Sequence, residues 1–191
     1  MDYTDQYFLE TEKISRLIDK AKIKEVINII FRIREACGRL FILGVGGSAA
    51  NASHAVNDFR KILNIECYTP VDNVAELTAW ANDSGFENIF VNWLKTSRLS
   101  KVDAVLVLSV GGGTETTSKN LVLAMEYAKL VGASIVSIVG RDGGSALKLC
   151  DSCILIPVVE EKRITAHTEG WQGLLLHLVV GAIYELEQNR R

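Results

Sequence analysis

The chain has 191 residues, 48% hydrophobic and 23% charged, which suits one domain able to bury about two-thirds of its unfolded surface and excludes disordered and fibrous classes. Its 21 basic residues are matched by 23 acidic ones and no Lys/Arg run exceeds the terminal Arg190-Arg191, so nucleic acid is not an expected partner. Charges at Asp2, Asp5, Glu10, Glu12, Lys13, Arg16, Asp19 and Lys20 interrupt the start of the chain, and no stretch reaches about 18 consecutive apolar residues; neither a signal peptide nor a membrane span is expected, and the setting expected is the cytoplasm.

Apolar residues recur at helical spacing through residues 5 to 37 (Phe8, Ile14, Leu17, Ile18, Ala21, then Val26, Ile27, Ile30, Ile33), as two helices or one long bent one. This appended arm needs a surface to cover. Arg39 to Val45 then reads as a strand, Ser48 to Leu63 as a helix and Glu66 to Thr69 as a short strand. Asn73 to Ala81 and Gly85 to Arg98 read as helices, Ala104 to Val110 as a strand and Asn120 to Leu130 as a helix. Ser134 to Val139 and Ser152 to Val158 are strands, and Thr165 to Gln188 is a long final helix. Strands alternating with helices predict an α/β fold, a five-stranded parallel sheet flanked by helices, with an N-terminal helical arm over 1–37 and a core over 38–191. Two prolines and no visible linker or repeat assign 1–191 to a single domain.

In an open parallel sheet, ligands bind beyond the carboxyl ends of the strands, where helix N-termini offer free N–H groups and partial positive charge. Two strand ends suit an anion. The first is Gly44-Val45-Gly46-Gly47-Ser48, where glycines let a ligand approach the backbone and the Ser48 hydroxyl can cap the helix or bond a phosphate oxygen. The second is Ser109-Val110-Gly111-Gly112-Gly113-Thr114, with Thr116, Thr117 and Ser118 beyond. Three successive glycines cost conformational entropy that a mere connector does not require. Ala49 holds the place of the third glycine of a dinucleotide fingerprint and neither loop has the GK[ST] of a P-loop, so no nucleotide cofactor is expected. The plain alternative for each loop is a tight strand-to-helix turn.

Cys150-Asp151-Ser152-Cys153 is a CxxC, but it leads into the apolar run Cys153 to Pro157, and buried strand cysteines are the better reading than a redox pair or a metal knuckle. His54 and Asp58 lie four apart on one predicted helix and project from one face, which suits a divalent metal, a proton relay or a simple solvated hydrogen bond. His177 sits inside the apolar run Leu174 to Val180, where a core histidine is common, yet a buried imidazole needs partners and a nearby carboxylate would serve. Glu169 precedes it by eight residues, a rise of about 12 Å and a rotation of about 80° in a straight helix, so both reach one ion only if the segment bends near Gly170 or Gly173 or a subunit contact supplies the geometry.

Three segments in order and spacing, Gly46-Gly47-Ser48-Ala49-Ala50-Asn51-Ala52-Ser53-His54, Ala81-Asn82-Asp83-Ser84-Gly85-Phe86-Glu87-Asn88-Ile89-Phe90 and Gly140-Arg141-Asp142-Gly143-Gly144, resemble the sugar isomerase (SIS) domain family, and within it the phosphoheptose isomerases. The match covers nearly the whole chain, arm included. The resemblance implies a flavodoxin-like three-layer sandwich, a homotetramer with active sites between subunits, and a bound zinc ion in at least some members. Its metal and catalytic set falls on His54, Asp58, Glu169 and His177, with Asp58 shortening the family's Glu and Glu169 replacing its Gln. By the same resemblance Asp58 is the general base and His177 the general acid, with Gly47, Ser48, Asn51, Asp83, Ser109, Gly111, Gly112, Gly113, Thr114 and Glu169 around the phosphorylated sugar. The family's hydroxyl-rich phosphate loop appears here as the glycine run, which leaves backbone N–H groups as the main phosphate donors. The reaction implied is aldose–ketose interconversion of sedoheptulose 7-phosphate and D-glycero-D-manno-heptose 7-phosphate. The alternatives are a non-catalytic SIS protein, as a tetrameric partner-binding factor or a sugar-phosphate sensor, and an isomerase of another phosphosugar.

Overall fold

The computed structural model describes residues 1–190. Five strands, β1 (Leu40–Leu43), β2 (Cys67–Tyr68), β3 (Ala104–Ser109), β4 (Ser134–Val139) and β5 (Ser152–Leu155), form one sheet in the order β2-β1-β3-β4-β5 with every pairing parallel. That is the doubly wound order, and the strand sequence reverses direction between β1 and β3. The two glycine loops leave the sheet at those strand ends.

The N-terminal arm is two helices, α1 (Tyr3–Leu17) and α2 (Lys20–Glu35). The break falls at Ile18, which is extended, and Asp19 then caps α2 by accepting from the N–H groups of Ala21 and Lys22 at 2.8 and 3.2 Å. After β1 come α3 (Gly47–Leu63), α4 (Val74–Ser84), α5 (Ile89–Thr96), α6 (Lys119–Val131), α7 (Gly144–Leu149) and α8 (Ile164–Gln188). Asn64 in the left-handed region ends α3 and Gly132 ends α6. The helix expected to begin at Gly85 starts instead with a 3-10 turn at Phe86–Asn88, because Gly85 takes φ 82° and separates it from α4. The last strand stops at Leu155, before Pro157, which lacks the N–H a longer ladder would need.

Alternate strand residues feed opposite faces. Leu40, Ile42, Leu106, Leu108, Val136 and Ile138 pack under the arm, α3 and α8, while Phe41, Leu43, Val105, Val107, Ile135 and Val139 pack under α5, α6 and α7. The amino ends of β1 and β3 are fastened by buried Asp103, which accepts from Arg39 N at 2.9 Å and Arg39 Nη2 at 2.8 Å. Cys153 is buried, and burial pushes the Cys150 thiol up to about 12 and the Cys153 thiol in the same direction, which favours protonated packing groups over a thiolate redox pair. Among the described residues no helix is long and apolar enough to cross a membrane.

Candidate active site

Two helices carry most of the candidate side chains. α3 rises from the β1 loop and α8 lies along it on the same face of the sheet. Their junction is polar and buried: Ser48 donates its hydroxyl to Gln172 Oε1 at 2.9 Å, Asn51 Nδ2 donates to the same oxygen at 3.2 Å and to the Glu169 carbonyl at 2.9 Å, and Gln172 Nε2 donates to the Ile138 carbonyl at 3.2 Å. These bonds fix α8 in register on α3.

Farther along, the helices bring His54, Asp58 and His177 together. His54 Nε2 stands 3.3 Å from Asp58 Oδ2, His177 Nδ1 stands 3.2 Å from the same oxygen, and the two histidine Nε2 atoms are 3.3 Å apart. His177 therefore does not point into the core as its apolar neighbours suggest; its side chain is 62% exposed and that of His54 52%, while Asp58 beneath them is only 13% exposed. One ligand atom from each lies within 4.8 Å of the others, and two imidazoles with one carboxylate are a donor set that a zinc ion at about 2.0–2.2 Å from each can share. The set fits a metal with one side left open. Glu169 is not in this cluster: α8 runs on from Ile164 to Gln188, so the helical offset stands and its carboxylate faces Gly47 instead.

That placement changes the reading of the first glycine loop. A Cβ at Gly47 would collide with the Glu169 carboxyl, so the glycine makes room for a carboxylate of the protein itself at the start of α3, where the helix dipole favours negative charge. Ser48 is 1% exposed and its hydroxyl is committed to Gln172, and Asn51 spends both its amide bonds on α8. Ser48 and Asn51, both expected around the phosphorylated sugar, thus bond α3 to α8 with these groups.

The second loop does open on a cavity. Val45, Ser109, Gly111, Gly113, Thr114 and Thr165 line a pocket of about 430 Å³ that also takes in Thr117, Ser118, Arg141 and Asp142. The N–H groups of Gly111 and Gly113 find no acceptor among the described residues, whereas Gly112 N donates to Ser109 Oγ at 3.1 Å. The glycines also serve packing. Gly112 takes φ 71°, a Cβ there would strike the Gly143 carbonyl, and the carbonyls of Gly112 and Gly113 accept from Ala146 and Ser145 at the start of α7 at 3.0 and 2.9 Å. Thr114 Oγ1 accepts from the N–H groups of Thr116 at 3.3 Å and Thr117 at 2.9 Å, bracing the far side.

Arg141 supplies the cation that an anion pocket calls for and that the sequence reading passed over. It follows β4 in a turn flanked by glycines, at φ 50°, with its side chain against Gly111. The signal was available: a third strand end, Gly140 to Gly144, emerges beside the other two. Asp83, exposed on the last turn of α4, lines neither this pocket nor the His54 cluster of its own chain.

No protein-family model matches the chain. Relatives of known name do: a phosphoheptose isomerase of Rhodospirillum rubrum is 30% identical over 166 residues, covering 84% of this chain and 86% of the relative. One from Helicobacter pylori strain P12 is 28% identical over 166 residues, 84% of this chain and 82% of the relative. Among solved structures, phosphoheptose isomerase GmhA of Neisseria gonorrhoeae superposes with a TM-score of 0.83 at 21% identity, covering 94% of this chain and 96% of that one. The Francisella tularensis phosphoheptose isomerase gives 0.82 at 21% identity, covering 97% and 100%.

Proposed function

This chain belongs to the phosphoheptose isomerase family, and from that premise we propose that it interconverts the ketose sedoheptulose 7-phosphate and the aldose D-glycero-D-manno-heptose 7-phosphate in the cytoplasm. The observation that carries the chemistry is the convergence of Asp58 with His54 and His177: a carboxylate flanked by two imidazoles is a base with an acid at hand. A non-catalytic sugar-phosphate sensor has no need of that arrangement.

Asp58 takes the proton from the hydroxyl-bearing carbon next to the carbonyl, and the electron pair left behind forms the C1–C2 double bond of an enediol as the carbonyl oxygen gains a proton from His177. The return step delivers the proton to the other carbon while the second oxygen gives up its own, so C1 and C2 exchange oxidation level with no external oxidant. His54 holds the Asp58 carboxylate in line. Zinc held by His54, Asp58 and His177 would be the alternative to these free acid and base roles: the three side chains would serve as its ligands and the metal would polarise the sugar oxygens. Arg141 and the Gly111 and Gly113 N–H groups receive the phosphate, with Ser109 bracing the loop, and Glu169 accepts from sugar hydroxyls at the Gly47 loop.

The working unit we propose is a homotetramer. Between the arm and α8 runs an apolar groove of about 670 Å³ floored by buried Ile18, Ile23 and Ile27, with Leu174 and Leu178 left exposed by a lone chain on its wall. The exposed sides of His54 and His177, and the distance of Asp83 from both clusters, fit active sites completed by a neighbouring copy.

The deciding assay follows the aldose product from sedoheptulose 7-phosphate before and after chelation and zinc readdition. Turnover that falls with chelator and returns with zinc supports enzyme and metal together; turnover indifferent to chelation keeps the isomerase and removes the metal; no turnover in a folded tetramer removes this substrate.

A further inference from the structure

Outside the site, a buried charged cluster joins the arm to the start of α8. Glu10, 8% exposed on α1, accepts from Arg163 Nε at 2.8 Å and Nη2 at 2.5 Å, and its Oε2 is 2.8 Å from His167 Nε2. Tyr7 stacks on the His167 ring with centroids 4.5 Å apart, and Tyr3 lies 5.3 Å beneath the Arg163 guanidinium. Arg163 and His167 bracket Thr165, which lines the anion pocket, and His167 is followed by buried Thr168, which fills the space over Gly140, and by Glu169, which faces Gly47.

The first turn of α8 has no side-chain cap of its own. Besides the packing of buried Ile164 and Thr168 and the Arg163–Glu160 pair, what holds it is the grip of Glu10 from α1 on both sides of Thr165. A buried ion cluster is a poor device for stability alone, since apolar replacements commonly match it; its distinctive property is directional geometry. We propose that Glu10 is a positioning residue for the anion pocket, holding the first turn of α8 so that Thr165 meets the phosphate and Glu169 meets the Gly47 loop. The arm then helps shape the binding site as well as cover the sheet. This rests on the reading above only in taking the pocket as the phosphate subsite.

The test measures the affinity of inorganic phosphate and of zinc for the full chain, and KM and kcat with sedoheptulose 7-phosphate, in the wild type, Glu10→Gln and His167→Phe. Glu10→Gln is expected to weaken phosphate and raise KM about tenfold, with kcat within about twofold and zinc affinity unchanged, because His177 stands more than two turns farther along α8. Deleting a negative charge near the pocket should by itself tighten an anion, so the sign separates positioning from simple electrostatics. Phosphate binding equal to or tighter than that of the wild type overturns the proposal, and so does a parallel loss of zinc affinity, which would mean general loosening. If Glu10→Gln does not fold, His167→Phe decides, because it keeps the Glu10–Arg163 pair and the Tyr7 stack while cutting the grip of Glu10 on the His167 side of Thr165; the same direction of change is expected. A wild type that binds phosphate without turnover removes the substrate reading and leaves the Glu10 comparison standing; one that binds no phosphate removes the pocket and the proposal with it.

Discussion

Nδ1 of His177 stands 3.2 Å from Oδ2 of Asp58, a contact that sets the final helix against the helix opening after the first strand, beyond the Ser48–Asn51–Gln172 knot. The carboxylate is nearly covered while both imidazoles beside it face solvent, so Asp58 is the member whose chemistry cannot be replaced by water. Asp58→Asn keeps the shape and removes the basicity. Turnover is expected to fall by about 10²- to 10⁴-fold with the far-ultraviolet circular dichroism unchanged. Initial rates decide it, and an Asp58→Asn enzyme with wild-type turnover would remove the base assignment.

Arg141 leads to a different kinetic signature. It touches the pocket and not the His54 cluster, so its loss should cost binding energy common to ground and transition states. Arg141→Ala is expected to raise KM for a phosphosugar by about 10- to 100-fold with little change in kcat, the scale of a charge-assisted hydrogen bond at 1.5–3 kcal/mol. Arg141→Lys should recover part of it. Equal KM values for wild type and Arg141→Ala would leave the phosphate to the backbone alone.

Much of this architecture was legible before folding. The apolar runs at Ala104–Ser109 and Ser134–Val139 are strands as their composition says, and the eight-residue interval between Glu169 and His177 keeps them apart as helix geometry requires. What was not legible depends on contacts remote in sequence. Ser48 looks like a phosphate ligand until Gln172, 124 residues away, takes its hydroxyl. His177 reads as a core residue because its neighbours are apolar, yet α8 turns it outward on the same side as Leu174 and Leu178. The six residues of α7 start at a glycine and follow a glycine N-cap, too little for periodicity to register, and their anchoring to Gly112 and Gly113 is tertiary. Arg141 stands in the Gly140–Gly144 segment, but a turn has no repeat to mark which of its side chains meets a pocket.

Acid stability should report the Glu10 cluster. Hydrogen bonding from Arg163, against the opposing effect of burial, holds the Glu10 carboxyl down near about 2 instead of its ordinary 4.5. A carboxyl lowered in the folded state stabilises the protein fully above its unfolded value, and that contribution drains away as pH falls from about 4.5 towards 2. Asp103, where the bonds from Arg39 and Ser100 outweigh burial, acts in the same direction. Urea midpoints for the wild type should therefore decline across that window, and Glu10→Gln, with nothing to titrate there, should decline less steeply. Parallel curves for the two proteins would contradict the Glu10 contribution.

Assembly is tested on α8 itself. Leu174 and Leu178 lie one turn apart, 47% and 42% exposed, on the wall of the groove shared with Ile18, Ile23 and Ile27. Covering each by a second copy contributes about 1.5–3 kcal/mol at most, so charging both is enough to shift an oligomer of micromolar affinity to monomer. Leu174→Glu with Leu178→Glu is expected to sediment as a single chain where the wild type sediments as a tetramer. The proposed zinc ligands His54, Asp58 and His177 come from one chain and should survive, whereas Asp83 reaches neither cluster of its own chain. A monomer that still binds zinc but no longer turns over would support a site completed between copies; a fully active monomer would confine the reaction to one chain and leave Asp83 outside it.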